Sequence, residues 1–281
     1  MFRDITFGQY YPSNSFVHKM DARIKLVLNL LYLIGIFFVV SFVGFAWITL
    51  FLLIAIFASK VPLKNVLKSV KGILFLMLFM IVLNVFFTKG ENLLVKWWIF
   101  EIYAEGLIFA AKMFLRLSYL VIGSSLLTLT TTPVDLTHAL ESLLKPLTWI
   151  KVPVHDLALI MSLALSLIPS LINETDRIIR AQKARGADFD TGGLIKRAKA
   201  FVPILIPLLV SSFRRAEELA FAMNSRCYEG STHRTCMRVM KLSWRDFVGT
   251  LVVILFFAAV FTVYATQDTW GLSEGLKWLY F

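Results

Sequence analysis

The chain has 281 residues, of which 58% are hydrophobic and only 17% charged, with 25 Phe, 7 Trp and a net charge of +11. A soluble domain of this length cannot hide so much apolar surface, which leaves an integral membrane protein. The positive balance points to the positive-inside rule and anionic lipid; no basic run is interleaved with aromatics as on a nucleic-acid-binding surface, so nucleic acid is excluded.

In chain order, Met1 to Lys25 is polar and mixed, without the apolar core and small-residue cleavage site of a leader. The first apolar run is therefore expected to stay in the mature chain. Leu26 to Phe57 is almost unbroken and too long for one span of about 20 residues. Ser41 and Gly44 offer a break, so two closely spaced helices are expected. Ile73 to Phe87 makes a third span, Gly106 to Thr132 a fourth and Phe247 to Thr266 a fifth.

Lysine and arginine set the orientation. Lys19, Arg23 and Lys25 precede span one, and Lys60, Lys64, Lys68 and Lys71 separate spans two and three. The connection between spans three and four balances Lys89 and Lys96 with Glu91, Glu101 and Glu105, and holds Trp97 and Trp98 as an interfacial belt. Asp268, Glu274 and Lys277 follow span five. The amino terminus is expected inside and the carboxyl terminus outside.

Pro133 to Arg245 carries 16 of the 29 basic residues. Its apolar runs, Leu157 to Ile172 and Phe201 to Phe213, are short for spans, and the second contains Pro203 and Pro207. If both crossed, Arg177, Arg180, Lys183, Arg185, Lys196, Arg197 and Lys199 would face outside, against the charge rule. They read instead as the apolar halves of long cytoplasmic helices that dock beneath the bundle. The fold class is thus an all-α polytopic membrane protein: about five transmembrane helices and a cytoplasmic module of three long amphipathic helices. Residues 1–132 hold spans one to four, 133–245 the module, and 246–281 the fifth span. Thr131-Thr132-Pro133 starts the first module helix, and Lys151-Val152-Pro153 separates it from the second. The second runs to Arg185 with Gly186 as its stop; Thr191-Gly192-Gly193 is a loop; the third runs from about Ile204 to Arg226, and Gly230 stops it.

The two helices end alike, in Ala184-Arg185-Gly186 and Ser225-Arg226-Cys227. Arginine offers a permanent charge and a rigid fork of donors suited to carboxylates. Two such forks on paired helices suggest a plug for an acidic socket on another protein. A cation that merely complements the helix dipole is the simpler reading of either one alone.

Other chemistry is thin. There is no Gly-x-x-x-x-Gly-Lys-Ser/Thr phosphate loop, no Gly-x-Ser-x-Gly elbow and no His-Glu-x-x-His helix, so no enzyme activity and no cofactor are expected. His18, His138, His155 and His233 lack ligand spacing, so no metal site is expected; Cys227 and Cys236 lie in a segment placed in the reducing cytoplasm, against a disulfide. Asp188 and Asp190 read as solvated loop carboxylates rather than a catalytic pair. Lys112 and Arg116 share one helix face inside span four, and intramembrane charges are functional candidates. The plain alternative is that Lys112 snorkels outward and Arg116 pairs with a neighbour.

Gln182-Lys183-Ala184-Arg185-Gly186-Ala187-Asp188-Phe189 resembles the first Ala-Arg-Gly motif of the T component of energy-coupling factor (ECF) transporters. Phe213-Arg214-Arg215-Ala216-Glu217-Glu218-Leu219-Ala220, leading to Ser225-Arg226-Cys227-Tyr228, resembles the second, with Ser and Cys in place of Ala and Gly. Gly8-Gln9-Tyr10-Tyr11-Pro12 with Ser15, His18, Asp21, Arg23 and Lys25, Thr131 to Asp135, and Leu143 to Leu147 resemble that family too. The resemblance covers nearly the whole chain. It implies a non-catalytic scaffold in the cell membrane that joins two cytoplasmic ABC-type ATPases to a membrane-embedded S component, which binds a micronutrient such as a vitamin or metal ion. The arginine motifs would insert into grooves on the ATPases. The competing readings are a self-sufficient secondary transporter with Lys112 and Arg116 at a midplane site, and a membrane-embedded transferase or hydrolase using Asp188 and Asp190.

Overall fold

A computed structural model describes residues 10–39, 41–88, 93–97, 100–187, 193–228 and 242–266. Eight α-helices dominate: α1 (Ala22–Phe37), α2 (Phe42–Ser59), α3 (Leu63–Phe87), α4 (Ala104–Thr130), α5 (Pro133–Leu144), α6 (Val154–Ala184), α7 (Leu194–Ser225) and α8 (Trp244–Thr266). A short 3₁₀ helix, Lys145–Ile150, follows α5.

The expected break in the first apolar run falls between Phe37 and Phe42. Ser41 makes it, because its hydroxyl accepts the Val43 N–H at 3.2 Å as the N-cap of α2. Gly44 lies inside α2. The third span begins ten residues earlier than its apolar run, at Leu63, because Lys64, Lys68 and Lys71 continue the helix as good helix formers.

Among the described residues the otherwise all-helical chain has one short hairpin, in the connection after α3, where β1 (Leu93–Trp97) and β2 (Phe100–Tyr103) pair antiparallel. Their Val, Trp, Phe, Ile and Tyr are strand formers. One expectation needs correction. The third module helix starts at Leu194, not near Ile204, and carries Pro203 and Pro207 inside it. A proline removes one ladder bond but does not end a helix that packs on a neighbour.

Among the described residues, five helices are long and apolar enough to cross a membrane: α2, α3, α4, α6 and α8. The count agrees with the sequence expectation; the set differs by one. Helix α1 has 16 residues, about 24 Å, and is short for a span. Helix α6 qualifies because its amino-terminal half is apolar.

The chain forms two compact units, one of residues 8–139 and 240–281, the other of residues 1–7 and 140–239. In the first, α1, α2, α4 and α8 share a core of Tyr32, Ile36, Val39, Phe45, Ile48, Leu52, Tyr119, Phe256 and Val260. Tyr32 crosses it and donates to the Tyr119 carbonyl at 3.1 Å. Gly123 makes that crossing feasible, since a Cβ there would come within 2.1 Å of the Tyr32 ring. Helix α3 packs on α4. In the second unit, α6 and α7 pair.

Candidate coupling site

Helix α6 ends at Ala184, and Arg185 is its C-cap with φ −86° and ψ 6°. Gly186 follows at φ 86°. Its N–H donates to the Lys183 carbonyl at 3.0 Å, and the Ala187 N–H donates to the Gln182 carbonyl at 3.0 Å. These two bonds are a Schellman motif, which occupies carbonyls that the helix end leaves open.

Helix α7 ends the same way. Arg226 is the C-cap with φ −96° and ψ 16°, and Cys227 takes the left-handed position at φ 56°. The Cys227 N–H donates to the Asn224 carbonyl at 3.0 Å, and the Tyr228 N–H to the Met223 carbonyl at 3.1 Å. The two arginines therefore occupy equivalent places in equivalent turns. Both are exposed, as are Ala184, Gly186, Ser225 and Cys227. The small neighbours leave each guanidinium approachable.

The pairing of α6 and α7 is antiparallel. Arg215 donates through Nη1 to Ser170 Oγ at 2.6 Å, and Gln182 through Nε2 to the Pro203 carbonyl at 3.4 Å. That carbonyl is available for a physical reason: its helical partner would be residue 207, and Pro207 has no N–H. Arg185 lies beyond the Ser170 contact at one end of the pair, and Arg226 beyond the Arg215 contact at the other. At 1.5 Å rise per residue they are about 40 Å apart along the axis.

Lys112 and Arg116 lie together elsewhere, on α4. Arg116 donates through Nη2 to the Val39 carbonyl at 2.7 Å, and the Lys112 ammonium stands 5.2 Å from the Phe42 ring. An apolar cavity of about 230 Å³ opens between α1, α2, α4 and α8, lined by residues such as Leu28, Phe51, Leu126 and Val252.

Sequence reasoning missed a polar knot at the opposite end of α1. Asp246 is 2% exposed; its Oδ1 accepts the Asp21 N–H at 2.7 Å and its Oδ2 the Ser243 N–H at 2.7 Å. Asp21 in turn caps α1 by accepting the Arg23 N–H at 2.9 Å. Lys25 is buried beside them and donates to the carbonyls of Thr130 at 3.1 Å and His18 at 3.3 Å. His18 holds Tyr11 and Ser15: Nε2 is 2.8 Å from the Tyr11 carbonyl and Nδ1 is 2.6 Å from the Ser15 hydroxyl. Burial lowers the His18 pKa below its ordinary value; the Tyr11 carbonyl opposes this and Lys25 adds to it. The backbone N–H of Tyr11 donates to the Leu129 carbonyl at 3.0 Å, so the segment before α1 straps α1, α4 and α8 together.

Asp188, Asp190, His233, Cys236 and the loop at 191–192 lie outside the described residues, as do the terminal Asp268, Glu274 and Lys277. So do Lys89, Glu91, Trp98 and Gly230, and the side chains of Lys96, Trp97, Glu101, Lys196, Arg197 and Lys199. Among the described residues, no group of three or more His, Cys, Asp or Glu is placed to hold a metal ion.

Residues 13–237 match the CbiQ family, described as a cobalt transport protein. The chain belongs to the CbiQ family. An energy-coupling factor transporter transmembrane protein EcfT from Clostridium kluyveri is 52% identical over 256 residues, covering 91% of this chain and 95% of the relative. The EcfT of Ruminiclostridium cellulolyticum is 49% identical over 256 residues, 91% of this chain and 96% of its own length. That of Streptococcus thermophilus is 43% identical over 250 residues, 89% and 95%. As a CbiQ/EcfT member the chain is a multi-pass transmembrane transporter protein, not an enzyme.

Proposed function

We propose that this chain is the membrane scaffold of an ECF-type importer, joining two cytoplasmic ATPase subunits to a separate membrane-embedded S component that binds a vitamin or metal ion. The observation that carries the reading is the matched pair of C-caps, each presenting one exposed arginine. A lone helix-end cation does not require its twin to share backbone geometry. Two forks about 40 Å apart on opposed helix ends cannot enter one groove, so each meets its own ATPase subunit. The residues assigned to this docking are Ala184, Arg185, Gly186, Ser225, Arg226 and Cys227. Residues 133–245 then lie in the cytoplasm with the amino terminus, as their basic residues favour. The almost wholly apolar cavity speaks against a polar solute site at the core of the bundle.

Co-purification and uptake test this. Truncating one partner of a buried charged pair costs about 2–5 kcal/mol, partly by stranding the other charge, so each single alanine variant should bind one ATPase about 30-fold or more weakly. Arg185→Glu with Arg226→Glu should release both. Retention of the ATPases with normal uptake by that double variant would reduce the arginines to helix-end cations.

A further inference from the structure

We propose that Lys112 and Arg116, with the turn between α1 and α2, bind the phosphate of a phospholipid headgroup. The two cations reach the same turn from α4: Arg116 through the Val39 carbonyl, Lys112 over the Phe42 ring. Their donors are not used up. Arg116 Nε is buried with no hydrogen-bond partner, and Lys112 is 8% exposed with the Phe42 ring as its described contact. A guanidinium has five donors and an ammonium three. No described carboxylate pairs with either. Asp21, Asp135 and Asp246 belong to the far end of the bundle, and Glu105 is about 10 Å further along α4. Two adjacent cations with free donors and no acid among the described residues beside them call for an anion.

The bilayer supplies it. Helices α1 and α2 have 16 and 18 residues, about 24 and 27 Å, against about 30 Å of hydrocarbon. A hairpin this short draws headgroups in toward its turn. Helix α4, with 27 residues, runs past that level, which is why cations eight and twelve residues from its start meet the turn. The surroundings are apolar and exposed, with Phe37, Phe38, Val43, Leu107 and Phe109 open to lipid. A phosphate carried on acyl chains fits such a rim, and its oxygens suit a guanidinium fork beside an ammonium. By the charge rule the turn faces outside, so the lipid belongs to the outer leaflet. This site is independent of the arginine caps and of the coupling they serve.

The test uses the full chain purified in detergent, with lipid retention read by native mass spectrometry. The probes are phosphatidylglycerol and a phosphate-free glucosyl diacylglycerol with the same chains, with inorganic phosphate as competitor. The wild type should hold one phosphatidylglycerol and not the glycolipid. Lys112→Gln, which breaks no described hydrogen bond within the protein, should weaken retention about tenfold, as loss of a charge-assisted bond does. Arg116→Gln with Lys112→Gln should abolish it. Equal retention of the glycolipid, or unchanged retention by Lys112→Gln, overturns the proposal. Displacement by inorganic phosphate at matched concentration would make the site one for free anions and overturn the lipid assignment. Loss of a co-purifying membrane protein with lipid retention unchanged would assign the cations to a protein carboxylate instead, and also overturn it.

Discussion

Gly186 and Cys227 occupy the same position in two matching turns, at φ 86° and φ 56°, so exchanging their side-chain types should have opposite effects. A side chain in the left-handed region costs roughly 1–2 kcal/mol. A Cβ at Gly186 would meet nothing within 4 Å, so Gly186→Ala adds conformational strain and no clash. Alanine also restricts the unfolded chain relative to glycine, which returns about 0.4–1 kcal/mol. The net loss is about 0.8 kcal/mol, a roughly fourfold rise in fraying of the α6 end. Cys227→Gly reverses every step and should firm the α7 end by about the same factor. The ends are about 40 Å apart along the pair, so the double variant should show both effects independently. Peptide-resolved hydrogen exchange reads the local openings directly, through the Ala187 and Tyr228 amides that close the two motifs. Unchanged exchange at Ala187 in Gly186→Ala, or faster exchange at Tyr228 in Cys227→Gly, would refute the equivalence of the two caps.

Asp246→Ala should remove two hydrogen bonds to a buried carboxylate, from the half-buried Asp21 N–H and the exposed Ser243 N–H, and so destabilise the chain by roughly 1–3 kcal/mol; a thermal midpoint in detergent equal to wild type would contradict that. His18 has its pKa depressed in the fold, so the unfolded chain binds the extra proton more readily. Stability from this group is complete above pH about 6.5 and falls as pH drops below it toward the lower folded value. Hydrogen exchange of the segment at Tyr11 to Ser15 should therefore accelerate on acidification, and His18→Gln should remove that dependence.

Features carried by neighbours in sequence were legible, and features carried by partners far along the chain were not. The α1–α2 break could be read because a serine caps the helix it precedes. The two arginines could be read because Gly186 announces a helix stop, and Ser225-Arg226-Cys227 copies its setting without the glycine. The Asp21–Asp246 contact spans 225 positions, and nothing near Asp246 marks it as buried. Arg116 finds the Val39 carbonyl 77 positions away, so its spacing to Lys112 showed that the pair mattered but not what it meets. The start of α7 was misplaced next to Pro203 because proline breaks helices in local sequence, whereas α7 keeps its course through it against α6.

Pro203 and Pro207 also bear on the coupling proposed for the two arginines. Two docking ends of that kind would work together only if their separation is fixed. An antiparallel helix pair held by apolar contacts alone can slide by a turn, about 5.4 Å, and each slide would move Arg185 relative to Arg226 by that amount. The Gln182 amide on the Pro203 carbonyl and the Arg215 fork on Ser170 pin the register at two separate points. The first bond exists because Pro207 leaves that carbonyl without its helical donor. A residue type that weakens α7 as a helix thus supplies a specific acceptor on its side, three residues from Arg185 on the facing helix. The rigidity that a two-ended plug needs follows from where α7 forgoes its own hydrogen bonds, and the arginines stand at the ends of the span that results.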